Sequence, residues 1–360
     1  MAGEITRQPL TGIDTTTATV AGSTLFFEAA EAAYGEAVDR GHTEIDRYVS
    51  IADRTIRLSF AGDTLEQILA PAFAHIECGR VERPDLTIRC WDDASTRTST
   101  PEPPTIPGRA GMDFVDGTVR IAWEPARRSL FMLDSNRNRG LLRFVDADSA
   151  AEWEPAAPCL RILHWWATGL GMQIVHAAAV GVTEGGVLLV GRGGSGKSTT
   201  ALACIGSRLG YLADDYCMIS IGDTPRVHSL YSTGKADSRS VSLLPPLANA
   251  FEIAAPRIDG KRVSFLADDF GSSLLRSCPL RAVVVPRIGA KQSRLERIPA
   301  AHALRMVAPS TMMQLPGDRP STLTRLATLV RSVPCYEMTI GADPYEAVPF
   351  LESLSSGEPA

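Results

Sequence analysis

Lysine is scarce in this chain. Of 36 basic residues only four are lysines, Lys197, Lys235, Lys261 and Lys291, and the other 32 are arginines. A lysine inside a motif therefore carries information that a single arginine does not. Paired cysteine motifs are missing too. The seven cysteines (Cys78, Cys90, Cys159, Cys204, Cys217, Cys278, Cys335) are odd in number and never in C-x-x-C spacing. That argues against a zinc site or a disulfide scaffold and leaves buried, reduced thiols as the expectation. Positive charge is not in excess: the formal net charge is −5, which argues against nucleic acid as a partner. The opening MAGEITRQPL has charges and a proline where an export signal needs an apolar run, so a cytoplasmic location is expected. The one long stretch without Asp, Glu, Lys or Arg, Ile162 to Thr183, is interrupted by His164, Gln173, His176 and several glycines. No membrane span is expected from it.

What is present fits a globular chain. Apolar residues make up 44% of the 360 and charged residues 21%, enough for one large or two ordinary domains. Residues 1–155 read as an N-terminal α+β domain with an antiparallel sheet, a possible site of substrate or partner recognition. Its strands are expected at Ile56–Phe60, Asp85–Cys90, Thr118–Trp123, Ser129–Leu133 and Leu141–Phe144, and a helix at Thr64–Ala74. The Pro-, Ser- and Thr-rich stretch Ser95–Gly111 reads as an exposed loop. Residues 156–360 have another texture. A helix is expected at Cys159–Gly169, with Trp165 and Trp166 packed at an interface. A strand at Gln173–Val180, a buried strand at Gly186–Val190, a helix from Lys197 to about Arg208 and a strand at Tyr211–Ser220 follow. Further on, Leu280–Val285 reads as a buried strand and Ala300–Met313 as a helix carrying a structural His302.

Gly191 to Ser198 matches the Walker A pattern G-x-x-x-x-G-K-S. Gly191, Gly193, Gly194, Ser195 and Gly196 let the backbone curl until its N–H groups point at phosphate oxygens, and the following helix adds its positive end. Lys197 reaches the terminal phosphates, and Ser198, with Thr199 beside it, offers a hydroxyl to Mg²⁺. Asp214-Asp215 comes only seventeen residues after Lys197. Neighbours on a regular strand point to opposite faces, so both carboxylates serve one site only at a strand end or bulge. One can hold Mg²⁺ and the other can accept a proton from an attacking hydroxyl; which does which stays open. His176, 21 residues before Lys197, is either a core histidine or part of this site, since the alanines after it leave room for an approach. Lys235 reads as a phosphate or acceptor contact, or else as an exposed loop lysine. Lys261 and Arg262, after the Asp259-Gly260 turn, read as charge stabilisers or as an ordinary hairpin surface. Asp268-Asp269 is assigned no role.

His176 in VHAAAVG, the stretch GVLLVGRGGSGKSTTAL and GYLADD together resemble the C-terminal catalytic domain of HPr serine kinase/phosphorylase. That family shares its phosphate-binding architecture with the nucleotide-dependent PEP carboxykinases. The resemblance is tight from Val175 to Met218 and diffuse over the rest of the second half. It implies an α/β fold with a P-loop kinase core of that type behind the N-terminal α+β domain. It also implies ATP- and Mg²⁺-dependent transfer of the γ-phosphoryl group to a serine hydroxyl, with Asp214 or Asp215 as the base and His176 supporting it. The glycine- and arginine-rich segment tied to the phosphorylase activity is not found; VHSLYSTGKAD stands there. The layout is closer to the HPr-kinase-related precursor-peptide kinases, including those of lasso peptides, so a peptide or small protein with an acceptor serine is the expected partner. A small-molecule kinase for an amino acid or sugar, and a nucleotide-binding regulatory module, are the alternatives. The HPr kinases assemble, and the resemblance leaves a homo-oligomer open here.

Overall fold

A computed structural model describes residues 15–40, 43–103, 112–150, 153–252, 257–258, 260–289, 291–315 and 317–357. The first half contains α1 (Thr15–Asp39), β1 (Glu44–Ile51), β2 (Arg54–Ala61), α2 (Thr64–Leu69), β3 (Leu86–Asp92), α3 (Asp93–Thr96), β4 (Met112–Asp116), β5 (Val119–Glu124), β6 (Ser129–Asp134) and β7 (Arg139–Phe144). Its strands form one sheet in the order β1-β2-β3-β7-β6-β5-β4. The expected all-antiparallel sheet is corrected to a mixed one, because β3 runs parallel to both β2 and β7. The chain between β2 and β3 is long enough to cross over and return in the same direction, which a tight hairpin cannot do. That crossover is α2 followed by a 3₁₀ stretch, Ala70–Ile76. The expected helix at Thr64–Ala74 changes type there because Pro71 has no N–H to give an α-helical bond.

Both faces of this sheet are covered. Phe27, Tyr34 and Ala37 of α1 pack with Trp91, Ile121 and Met132 on one side. Leu65, Leu69 and Phe73 pack with Leu58, Ile88 and Phe131 on the other. Double coverage explains why β6, SLFMLD, is buried along its whole length rather than alternating. The segment expected to be an exposed loop is packed at its start. Thr96, Thr98 and Thr100 are buried, and Trp91 Nε1 donates to Thr100 Oγ1 at 3.0 Å. Residues 104–111 of that expected loop lie outside the described residues.

The second half runs α4 (Leu160–Gly169), β8 (Gln173–His176), β9 (Ala178–Val182), β10 (Gly185–Leu189), α5 (Lys197–Ala203), β11 (Gly210–Ala213), β12 (Tyr216–Ser220), β13 (Arg226–Ser229) and β14 (Thr233–Ala236). It continues with α6 (Ser238–Leu243), α7 (Ala248–Glu252), β15 (Arg257–Ile258), β16 (Lys261–Phe265), α8 (Leu266–Phe270), β17 (Ser277–Ile288), β18 (Arg294–Ile298), α9 (Ala300–Gln314), α10 (Arg319–Ser332), β19 (Cys335–Ile340) and α11 (Val348–Ser356). The main sheet has the order β11-β9-β10-β17-β13-β12-β8, extended by β19 beside β17 and β18 beside β19. A small sheet, β14-β16-β15, is separate from it. The chain is thus a mixed α/β protein. Among the described residues no helix is long and apolar enough to cross a membrane.

Two strands expected to be continuous are each broken. Gln173–Val180 divides at Ala177 into β8 and β9, and Tyr211–Ser220 divides at Asp214-Asp215 into β11 and β12. The breaks face each other: Ala177 N–H donates to Asp215 O at 3.1 Å. The β9–β11 register also shifts between Tyr211 and Ala213, a bulge-like irregularity of the kind that re-aims side chains. The helix expected to reach Arg208 ends at Ala203, since Gly206 takes the chain into the left-handed region at φ +88°. Trp165 and Trp166 are packed as expected. They lie in one continuous apolar cluster that joins Phe60, Ile88 and Phe144 of the first sheet to Ile174, Met218 and Tyr231 of the second half. Each such buried side chain contributes about 1.5–3 kcal/mol.

Candidate active site

The apolar strand β10 is held in the sheet to its end, where Val190 N–H donates to Val284 O at 2.9 Å. The chain then leaves the sheet as the loop 191–196. Gly194 and Gly196 have φ of +77° and +101°, a region that a side chain with a Cβ resists. At Gly196 a Cβ would also come within 3.2 Å of Ile288 and Ile340. Lys197 is only 6% exposed, and its Nζ lies inside the loop, donating to Gly191 O at 2.9 Å and Arg192 O at 3.3 Å. Burial pulls the ammonium below its usual pKa, opposed by the nearby charges of Asp215 and Asp214. Ser195 Oγ is buried with no hydrogen-bond partner among the described residues. Thr199 Oγ1 is paired with Ser240 Oγ at 2.9 Å.

The two neighbouring aspartates sit in different surroundings, because the strand break separates their directions. Asp214 is 2% exposed. Its Oδ2 accepts the Lys235 N–H at 2.6 Å, and its Oδ1 is buried without a partner. Burial, then the negative charge of Asp215, raises its pKa, while the Ser198 hydroxyl and the Lys235 N–H favour the charged form. Asp215 keeps 27% of its side chain exposed. Its Oδ1 is 2.9 Å from His176 Nε2, and its Oδ2 accepts from Lys235 Nζ at 2.5 Å. Burial pushes this carboxyl up, but the Lys235 ammonium and the His176 contact outweigh it and hold it well below the usual carboxylate range. His176 stands opposite Tyr216 in the β8–β12 register. Its backbone N–H is tied to Thr311 Oγ1 of α9 at 3.2 Å.

A cavity of about 520 Å³ opens here, lined by the loop, His176, Asp215, Lys235 and Lys261, with Ile288, Ile340 and Pro344 as an apolar wall. Three of the four lysines in the chain meet at it. A second cavity of about 540 Å³ shares Gly193, Gly194, His176, Asp215, Lys235 and Lys261 with the first. The shared residues make Asp215 the junction of two chambers.

The structure therefore brings together the loop, Lys197, Ser198, Asp214, Asp215 and His176, and it adds Lys235 and Lys261. Asp214 stands behind Asp215 rather than in the cavity lining. Arg262 instead donates to Phe251 O at 3.0 Å, His302 sits in the first turn of α9, and Asp268-Asp269 is exposed on α8. Sequence reasoning missed Asp237, Arg239 and Ser240, which also line the first cavity. A signal was there, since Asp237 caps α6 through Ser240 N–H at 2.7 Å in a pattern typical of helix starts. It also missed Ile288 and Ile340, which meet as register partners at the ends of β17 and β19 and carry no local motif. Among the described residues no group of three or more His, Cys, Asp and Glu side chains is arranged to hold a metal. No protein-family model matches the sequence, and no curated protein matches it.

Proposed function

We propose that the chain is a P-loop kinase core of the HPr kinase type, transferring the γ-phosphoryl group of ATP, with Mg²⁺, to a serine hydroxyl of a peptide or small protein. The observation that supports this best is the division of labour between neighbouring carboxylates. Asp214 faces Ser198 at the end of the loop, and Asp215 faces the junction of the two chambers. Ser198 and Asp214 fit a divalent cation, because a buried carboxylate oxygen without a partner beside a hydroxyl is an oxygen donor set of the hard kind. When bound there, Mg²⁺ would neutralise charge on the phosphates. A small-molecule acceptor is the second reading, favoured by the bounded size of the second chamber.

In this reading the loop N–H groups and Lys197 hold the phosphates. The acceptor hydroxyl enters from the second chamber and donates to Asp215. Its oxygen forms the bond to the γ-phosphorus as the bond to the bridging oxygen breaks, leaving ADP, and its proton passes to Asp215. A carboxylate held at low pKa is a weak base. That suffices, since a loose phosphoryl-transfer transition state needs orientation more than early proton removal. His176 and Lys235 keep Asp215 ionised and aimed, and Lys261 adds positive charge at the junction. Incubation with γ-labelled ATP, Mg²⁺ and serine peptides tests the reading; label recovered only as free phosphate would count against it.

Two consequences are measurable. The raised pKa of Asp214 means its stabilising contribution is complete only below the ordinary carboxylate pKa and is lost as pH rises through the raised value. At neutral pH the group therefore costs stability. Asp214→Asn keeps an acceptor for the Lys235 N–H and removes the repulsion with Asp215. It is expected to raise the melting temperature by a few degrees, on the order of 1–2 kcal/mol, while Mg²⁺-dependent transfer is lost. Calorimetry and a transfer assay on the same preparation check both halves. Lys235→Met leaves burial to push the Asp215 carboxyl up. A rate that is flat on the acid side in the parent protein should then fall as pH is lowered in the variant; an unchanged pH–rate profile would remove Lys235 from this role.

A further inference from the structure

The second chamber is bounded by charged groups, most of which are already matched. Arg161 pairs with Glu124 at 2.9 Å, and Lys235 pairs with Asp215. His164, pulled down to about 4 by burial and then by the charges of Arg120 and Arg325, is neutral at pH 7. Two groups have no opposite charge paired with them among the described residues. One is Lys261, at the junction with the loop. The other is Glu154, which is only 4% exposed and lines the chamber.

Glu154 is fixed in position by the chain around it. It opens the 3₁₀ turn Glu154–Ala156, and its Oε1 accepts the Cys159 N–H at 3.0 Å. No other donor among the described residues reaches the carboxylate. Burial, the largest influence, raises its pKa to about 7 against the Cys159 N–H and the more distant charges of Arg161 and Arg127, neither of which forms an ion pair with it among the described residues. Trp153, Phe131 and Tyr216 give the chamber aromatic walls, which accept the aliphatic stem of a cationic group while its head meets a carboxylate.

We infer that the second chamber is the acceptor site and selects a hydroxyl compound bearing an ammonium or guanidinium group, which Glu154 receives while Lys261 faces the phosphoryl being transferred. This rests on the kinase reading above. The cation can come from a basic residue beside the acceptor serine of a peptide or from a free amino alcohol, and the two sources share one chemistry.

The test compares acetylated, amidated tetrapeptides Ala-Lys-Ser-Ala, Ala-Gln-Ser-Ala and Ala-Glu-Ser-Ala, and in a separate arm ethanolamine against N-acetylethanolamine. Both are run with the full chain and with Glu154→Gln. Transfer from ATP is read by mass, and binding is read by calorimetry in the presence of Mg²⁺ and a non-hydrolysable ATP analogue. The cationic member of one arm is expected to show a KM and a Kd at least about tenfold lower than its neutral analogue, the size of one charge-assisted hydrogen bond. The arm that shows this gap identifies the source. Glu154→Gln is expected to erase the gap with the KM for ATP unchanged and the melting temperature no lower, since glutamine keeps an oxygen for the Cys159 N–H and removes a carboxyl whose charge burial penalises. Equal binding of cationic and neutral compounds, a gap that survives Glu154→Gln, or no binding by any of them overturns the inference. A gap in Kd that Glu154→Gln erases, with no phosphate transferred, upholds the cation site and sinks the kinase reading instead.

Discussion

Asp215→Asn is expected to slow phosphoryl transfer about 10³-fold, within the range typical of losing a positioned proton acceptor, while ATP affinity is expected to change by less than about threefold. Asparagine keeps the shape and can still meet His176 and Lys235, so the fold and the loop are undisturbed. What goes is the negative oxygen at the junction of the chambers. With that charge removed from beside the phosphates, ATP affinity moves upward if it moves at all. Single-turnover transfer and calorimetric ATP binding on one preparation separate the two effects. Normal turnover by the asparagine variant would take Asp215 out of the reaction.

Lys197→Ala acts on the other side of the same chemistry. Nucleotide affinity is expected to fall about 100-fold or more, because the ammonium inside the loop is replaced by nothing that can donate to a phosphate. The fold should persist. In the free protein Lys197 is a buried cation whose partners are two backbone carbonyls, and its pKa is lowered because burial penalises its charge. Removing it takes away a desolvated charge and little apolar packing. The melting temperature without nucleotide is therefore expected to be nearly unchanged, while the rise caused by ATP and Mg²⁺ disappears. An ATP-induced rise that persisted in the alanine variant would mean the loop does not hold phosphate.

The parts of this site that could be read from the sequence were contiguous in it. The loop, its lysine and serine, and the aspartate pair occupy one short stretch, where glycine spacing and an Asp-Asp inside an apolar run depart from what a plain strand or helix requires. The break in that strand was not expected from its apolar pattern, although two neighbouring carboxylates can share one site only where a regular strand ends or bulges. His176 was ambiguous because one histidine among alanines looks the same in a core as in a site. Its Nε2 contact with Asp215 at 2.9 Å, at the junction of the two chambers, resolves it. Lys235 and Lys261 were marked by lysine scarcity alone. Glu154 and the apolar wall of Ile288 and Ile340 were invisible, since their meaning lies in which distant elements they meet. In the first half, β5, β6 and β7 were legible as short apolar strand segments, whereas the parallel placement of β3 was not, because strand direction is set by crossover connections rather than by any local pattern.

The apolar cluster that runs from Phe60 and Phe144 through Ile162, Trp165 and Trp166 to Met218 packs the two halves of the chain against one another. Cutting near residue 155 would lay bare the side chains of this cluster, which have apolar neighbours on both sides of the cut, although each half keeps apolar clusters of its own. The second chamber, proposed above to receive the acceptor, draws its walls from both sides of that seam. On the kinase reading, recognition of an acceptor is therefore expected to be lost once that cluster opens. In a denaturant series, loss of acceptor binding is expected to accompany or precede loss of tertiary packing, read by two probes on the same samples.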